Sequence, residues 1–266
     1  MMTDASLHHL SHVVPFRLAE AKGLAALASG RRRFRRHQII RAQGDPVAEV
    51  YLLIEGWVAA SVDSVTGNRQ IVKVHLPGDM LGAPSLSVST AAETLCALNR
   101  VTIDVIPSEC LGDLFLSSPK LAAALFLSAQ QERIWLMDRL MSIGRTNAAQ
   151  RLAAFLLSLF DRLRLIEGVT ADGFDLPLSQ GEVANVIGIT PVHVNRTFSA
   201  LQQRDLIERR GRSVRLMNIE GLRDLASVPA REFQHLPGWL KGSRDKPRAT
   251  LERARSTGPK KPKKAG

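Results

Sequence analysis

The stretch Leu178–Gln203, LSQGEVANVIGITPVHVNRTFSALQQ, constrains the chain more than any other. Ser179-Gln180-Gly181-Glu182 has the S-x-x-E form of a capping box, which satisfies two orphan backbone donors at once, so a helix is predicted from Gln180. Val183, Ala184 and Ile187 supply its inner face, Gly188 fits the left-handed position that ends a helix, and Ile189 turns inward. Thr190 is a second candidate N-cap and Pro191 suits the first position of a helix that buries Val194, Phe198 and Leu201. Two short helices around a Gly-containing turn make a helix-turn-helix. A helical hairpin with ordinary exposed charges competes with this reading, but it gives no reason for two caps, the glycine and the segment that follows.

The second helix presents Val192, His193, Asn195, Arg196 and Ser199 outward. Arg bonds guanine bidentately and Asn bonds adenine, so this is base-reading chemistry near a helix N-terminus. Leu206–Leu216 then reads as two strands around a basic Gly turn, a wing suited to phosphates. Ser179, Gln180, Thr190 and the wing's Arg212 complete the candidate DNA-binding set.

Net charge bears on this reading less than its size implies. The chain carries +11, but residues 241–266 hold ten Lys or Arg and two acidic residues, +8 of that total. Basicity alone does not separate a DNA-binding protein from a globule with a sticky terminus. The Pro-, Gly-, Ser- and Lys/Arg-rich tail from Pro229 is expected to be disordered, either a solubilising extension or a non-specific DNA tether.

Upstream, residues 1–30 read as helical, with Leu18, Leu24 and Leu27 on one face. The basic run Arg31–Arg36 reads as a solvated edge before the first strand, with phosphate contact as the alternative. From Gln38 to Ile106, strands are predicted at Glu49–Ile54, Trp57–Val62, Arg69–His75 and Val101–Ile106, with turns at Gly44, Gly56, Gly67 and Gly78. That spacing implies a small antiparallel barrel or roll. Ser118-Pro119 opens a long helix, Ser118 as N-cap, running to about Ile143. Its apolar positions form two stripes: Ala123, Leu127, Ile134, Met137 and Met141, and Leu125, Ala129, Leu136, Leu140 and Ile143. Two stripes fit packing on its own domain and on a partner helix, or burial between two domains of one chain. A further helix is predicted over 147–166.

Several function classes are excluded. The chain's 266 residues give room for one large or two ordinary domains. No uncharged apolar run reaches the ~18 residues of a membrane span and no signal sequence opens the chain, so a cytoplasmic location without membrane partners is expected. Cys96 and Cys110 are too few for a disulfide framework, a four-thiolate zinc site or an iron–sulfur cluster within one chain, and read as core residues. His8, His9 and His12 read as a polar terminus and His75 as a strand-edge residue, with no recurring ligand spacing, so no metal or cofactor is expected. No phosphate loop, nucleophile elbow, paired-His motif or charge-relay set is present, so no catalytic residue is assigned. Two readings remain: a dimeric sequence-specific DNA-binding regulator, or a ligand-binding regulatory subunit whose winged helix makes protein contacts.

Through Leu178–Leu216, and more weakly through Gly44-Asp45, Leu52–Gly56 and Leu76–Gly82, the chain resembles the Crp/Fnr family of bacterial transcription regulators over about residues 15–228. The resemblance implies an α+β fold. A cyclic-nucleotide-binding-type β-roll with N-terminal helices spans 1–116, a long dimerisation helix 117–145 and a C-terminal winged helix-turn-helix 146–228, ahead of the tail at 229–266. It implies a sensor role for the roll, a homodimer, an inverted-repeat site on double-stranded DNA, and RNA polymerase as a partner. The family's recognition-helix Arg falls on Arg196 and the residue before it on Asn195. Its cytosine-reading Glu falls on Val192 and the preceding Arg of the cyclic-AMP branch on Pro191, neither of which can make those bonds. In the sensor, that branch holds the ribose with a Gly-Glu segment and the phosphate with an Arg-Ser pair. Here Gly82-Ala83-Pro84-Ser85 lacks the Glu, and Glu93-Thr94 stands in place of Arg-Ser. A carboxylate repels a cyclic phosphate and Pro84 removes a donor. Gly82, Ala83, Ser85, Glu93 and Thr94 are therefore expected to form a degenerate effector pocket that does not take a cyclic nucleotide.

Overall fold

Short strands separated by glycine turns build the first half of the chain. In the computed structural model, which describes residues 27–167, 172–227 and 229, they are β1 (Gly30–Phe34), β2 (Ile39–Arg41), β3 (Glu49–Glu55), β4 (Val58–Asp63), β5 (Arg69–His75), β6 (Met80–Leu81), β7 (Thr94–Ala97) and β8 (Val101–Pro107). The expected turn glycines 44, 56, 67 and 78 all have φ between 81° and 97°. At Gly56 a Cβ would lie 2.2 Å from the Arg100 carbonyl oxygen, so no other residue fits. Two antiparallel four-stranded sheets, ordered β1-β8-β3-β6 and β2-β7-β4-β5, enclose Tyr51, Leu53, Val58, Leu95 and Ile103. The other face of β3 (Val50, Leu52, Ile54) packs beneath helices α1 (Glu109–Ser117) and α2 (Pro119–Arg145) through Leu111, Leu114 and Leu121.

Several expectations are corrected here. The expected N-terminal helix lies mostly outside the described residues, as does the tail beyond Pro229. The Arg31–Arg36 run does not precede the first strand: its first half is the first strand, because cross-strand acids neutralise it. Arg31 bonds Asp104 at 2.6 and 2.9 Å, and Arg32 bonds Glu49 at 2.9 and 3.0 Å. Cys110 sits on α1 rather than beside a strand, and both thiols are half-buried rather than in the core. Ser118 occupies the N-cap position of α2, but its hydroxyl makes no capping bond. His75 is 2% exposed and not at a solvated strand edge.

Helix α2 is not enclosed within its own chain: Leu140 is 73% exposed and Met137 60%. No single helix among the described residues is long and apolar enough to cross a membrane. Helix α3 (Ala148–Glu167) leads into a small sheet ordered β10-β11-β9 (Ile207–Arg210, Ser213–Leu216, Gly173–Asp175). With it pack α4 (Gln180–Ile187), α5 (Pro191–Gln202) and α6 (Ile219–Ala226). One continuous apolar cluster runs from the outer face of the roll (Trp57, Ala59, Ile71, Val74) through α3 (Leu152, Leu156, Phe160) to α4 and α5 (Val183, Ile187, Val194, Phe198).

Candidate nucleic-acid interface

Helix α4 begins with both halves of its capping box formed. The Glu182 amide donates to Ser179 Oγ at 3.2 Å, and the Ser179 amide donates to Glu182 Oε2 at 2.6 Å. Gly188 ends the helix in the left-handed region (φ 70°, ψ 48°), which turns the chain sharply into α5. Helix α5 carries two complementary stripes at i, i+3, i+4, i+7 spacing. Val194, Thr197, Phe198 and Leu201 are buried, while Val192, Asn195, Arg196 and Ser199 face solvent. Among the described residues, the side chains of Gln180, Asn195, Arg196 and Ser199 have no partner, and Arg196 in particular has no carboxylate.

Thr190 departs from the expected cap. Its hydroxyl makes no bond to the α5 backbone and pairs instead with His193 Nδ1 at 2.9 Å, orienting that exposed ring. The Thr197 hydroxyl donates to the His193 carbonyl at 2.7 Å. In the wing, four arginines take different roles. The Arg209 guanidinium lies 4.1 Å from the centre of the Phe198 ring, and burial lowers its pKa. Arg210 and Arg215 both reach Glu208, at 2.6 and 3.7 Å. Arg212, at the exposed turn, has no side-chain partner among the described residues. Arg212 is therefore the wing cation left unpaired among the described residues, while Arg209 locks wing to helix, a difference that sequence alone does not show.

Two of the expected effector-pocket residues, Gly82 and Ser85, meet around a side chain that sequence reasoning missed. Arg41, 6% exposed, donates to the Glu49 carbonyl (3.1 Å), the Gly82 carbonyl (3.5 Å) and Ser85 Oγ (3.1 Å). A Cβ on Gly82 would lie 2.6 Å from its Nη2. Ser85 Oγ also accepts from the Ala92 amide, and Thr94 Oγ1 from the Gln43 amide. Ala83 opens a short 3-10 turn with Pro84, running to Ser87. Glu93 is buried, its Oε1 has no donor, and burial followed by the Glu132 charge raises its pKa. The only hint of Arg41 in the sequence is a lone charge closing an apolar pair, Ile39-Ile40.

Sensor and helix-turn-helix are joined by buried polar contacts. Asp79 of the Pro-Gly-Asp turn accepts from Arg162 of α3 at 2.6 Å and lies 3.2 Å from His75 Nδ1. Lys73 lies 3.8 Å from the same carboxylate and 2.8 Å from Glu132 of α2. Burial, then the Lys73 charge, lowers the His75 pKa against the opposing pull of Asp79. Arg139 of α2 donates to the Ile71 and Val72 carbonyls of β5, each at 2.6 Å, and to the Val186 carbonyl at the end of α4. Burial pushes its pKa down to about 10. Gln70 reaches the Asn185 and Val186 carbonyls from the same strand.

Comparison with known proteins agrees with this two-part architecture. Residues 31–118 match the family described as "Cyclic nucleotide-binding domain", and residues 150–225 match "Crp-like helix-turn-helix domain". The chain is 28% identical over 225 residues to the transcriptional activator protein FnrA of Stutzerimonas stutzeri, covering 84% of this chain and 91% of that one. It is 29% identical over 223 residues to the transcriptional regulatory protein btr of Bordetella pertussis, covering 84% and 92%. Among solved structures, FixK2 from Bradyrhizobium japonicum superposes with a TM-score of 0.68 at 25% identity, over 76% of this chain and 98% of that one.

Proposed function

The chain belongs to the Crp/Fnr family of transcription regulators, with a helix-turn-helix DNA-binding domain and a cyclic-nucleotide-binding-type sensor domain, and on that premise we propose that it acts as a homodimer on an inverted-repeat site without a cyclic nucleotide. The observation that carries the DNA reading is the outer stripe of α5. Val192, Asn195, Arg196 and Ser199 are exposed, and the three polar ones have no partner among the described residues. Arg196 bonds a guanine in the major groove. Asn195 and His193 add base or phosphate contacts, and Ser179, Gln180, Thr190 and Arg212 hold the backbone. The exposed apolar face of α2 pairs with its copy, which sets two α5 helices about one DNA turn apart. The dimer works in the cytoplasm and presents a surface to RNA polymerase.

The sensor residues do not fit a cyclic nucleotide. The Arg41 Nη atoms already donate to Glu49, Gly82 and Ser85, and the Glu93 carboxyl stands where a phosphate partner is needed. Control through this roll therefore operates without cyclic AMP or cyclic GMP, and calorimetry with either is expected to show no binding.

Binding-site selection from random DNA tests the recognition reading. Arg196→Ala is expected to cost about 1–3 kcal/mol per half-site and to relax preference at one base pair. Arg212→Ala is expected to weaken all sequences alike. An Arg196→Ala protein that keeps every base preference would remove Arg196 from the recognition role.

A further inference from the structure

Strand β5 and helices α2, α3 and α4 line a cleft of about 180 Å3 where the roll meets the winged helix. Its wall is mostly apolar: Val72 and Val74 from β5, Phe155 and Leu159 from α3, and Val186 and Ile187 from the last turn of α4. Trp135 of α2 adds a second aromatic ring, with the Arg162 guanidinium 5.3 Å from its centre. The cleft is separate from the degenerate effector pocket, since Arg41, Gly82 and Ser85 do not line it.

The charges of this cleft do not balance. Lys73, Arg139, Arg151 and Arg162 line it, against the acids Glu132 and Asp138. Lys73 is matched by Glu132 at 2.8 Å, and Arg162 by Asp79, which is not part of the lining, at 2.6 Å. Arg139 and Arg151 bond backbone carbonyls instead, Arg139 those of β5 and α4 and Arg151 that of Ile143 (3.2 Å). A carbonyl takes up an N–H group but not a unit charge, and neither guanidinium is paired with a carboxylate among the described residues. Two N–H groups are left over as well: Nε of Arg151 and Nε of Arg162 are buried without a hydrogen-bond partner, and Arg162 is only 8% exposed. Buried donors without an acceptor are rare and costly, so two of them lining one cleft call for an acceptor that no described residue supplies.

Size and lining narrow its chemistry. An apolar cavity of ~150 Å3 holds one benzene ring. Aromatic and aliphatic walls favour a ring, and guanidinium groups favour a carboxylate. We propose that this cleft binds a small organic anion, a single aromatic ring bearing a carboxylate, and that its occupancy sets the placement of α5. Val72 and Val74 belong to the sensor, while Ile187 directly precedes Gly188, where the chain turns into α5. A ligand touching both sides shifts DNA affinity by favouring one arrangement of α4 against the roll. This regulatory half rests on the recognition-helix reading above; the binding half does not.

Benzoate and phenylacetate, with benzamide as the uncharged match of benzoate, are titrated calorimetrically into the full chain. Both acids are expected to bind once per chain, and benzamide about tenfold or more weakly, the value of a charge-assisted bond. Arg151→Gln is expected to lose about tenfold for benzoate and little for benzamide, while Arg151→Lys keeps most of the affinity. Ala154→Leu and Ser158→Leu each put a larger side chain into the lining and are expected to abolish binding of the acids. Ser158 is exposed, so that variant tests the site even where Ala154→Leu disturbs the fold, and thermal melts check both. In gel shifts on the selected DNA site, saturating benzoate is expected to change the affinity of the unaltered protein about fivefold or more, and that of the filled variants not at all.

Absence of heat with either acid at millimolar concentration overturns the proposal, as does benzamide bound as tightly as benzoate. Acids that bind the filled variants as well as the unaltered protein place the anion elsewhere and overturn it too. Binding that leaves DNA affinity unchanged removes the regulatory half. A protein that selects no DNA sequence overturns the α5 reading and leaves the calorimetric result standing.

Discussion

Glu93 is 6% exposed and its Oε1 has no hydrogen-bond donor, an arrangement that disfavours the ionised carboxylate. Burial raises its pKa, Glu132 adds to the rise, and Arg41 and Lys73 only partly oppose it. The sign follows: the folded state prefers the neutral acid, so the associated stability is fully present below the ordinary carboxyl range and is lost as pH rises through the raised value. Glu93→Gln is therefore expected to stabilise the fold near neutral pH, because the neutral amide removes the penalty of the buried charge while keeping the shape. That gap is expected to close at pH values below ~4. Urea unfolding of both proteins at several pH values measures it, and a gap that does not vary with pH would mean that the carboxyl titrates alike in the folded and unfolded chain. Residue identity alone did not foresee this state. Glu93 is legible as a departure from a phosphate site, but Arg41, which fills the neighbouring space, is legible only in three dimensions. Likewise, Arg209 and Arg212 are equivalent letters in a basic turn, yet one lies over the Phe198 ring and the other points to solvent.

At the scale of elements, α2 carries the dimer proposal. Phe126, Leu136, Met137 and Leu140 are between 45% and 73% exposed, a row that a partner helix would cover. Leu140→Glu places a charge in that seam and is expected to shift the protein from dimer to monomer, as read by light scattering. DNA affinity is expected to fall in parallel, since two half-sites are then no longer held together. A monomer that binds the full site with unchanged affinity would separate dimerisation from recognition. Elements whose pattern is local were legible. The capping box, Gly188 and the buried stripe of α5 are short-range signals, and the structure places them as expected. Elements created by distant partners were not legible. Strand β1 exists because Asp104 and Glu49 neutralise its arginines, and β9 because it pairs with β11 in the wing. Strand β3 showed too little alternation to orient it, because both of its faces are buried.

Over the whole molecule, the roll and the winged helix share a core, with Trp57 stacked 6.4 Å from Phe174 and Ile71 and Val74 in one cluster with Val183 and Phe198. The polar side of that junction is Arg162, buried between the Val74 carbonyl (2.8 Å) and Asp79 (2.6 Å), with Arg139 and Gln70 holding the end of α4 to β5. Rotation of the helix-turn-helix against the roll would therefore break buried bonds as well as open a shared core. Unfolding is therefore expected as one cooperative calorimetric transition covering both domains. Arg162→Leu keeps an apolar filling but leaves the Asp79 carboxylate without its closest cation, a loss of about 3–5 kcal/mol for a broken buried pair. Because that loss falls at the junction and not inside either domain, the variant is expected to unfold in two steps, the winged helix separating before the roll melts. A single transition lowered as a whole would show that the apolar cluster, rather than the Arg162–Asp79 pair, carries the coupling between sensor and DNA-binding domain.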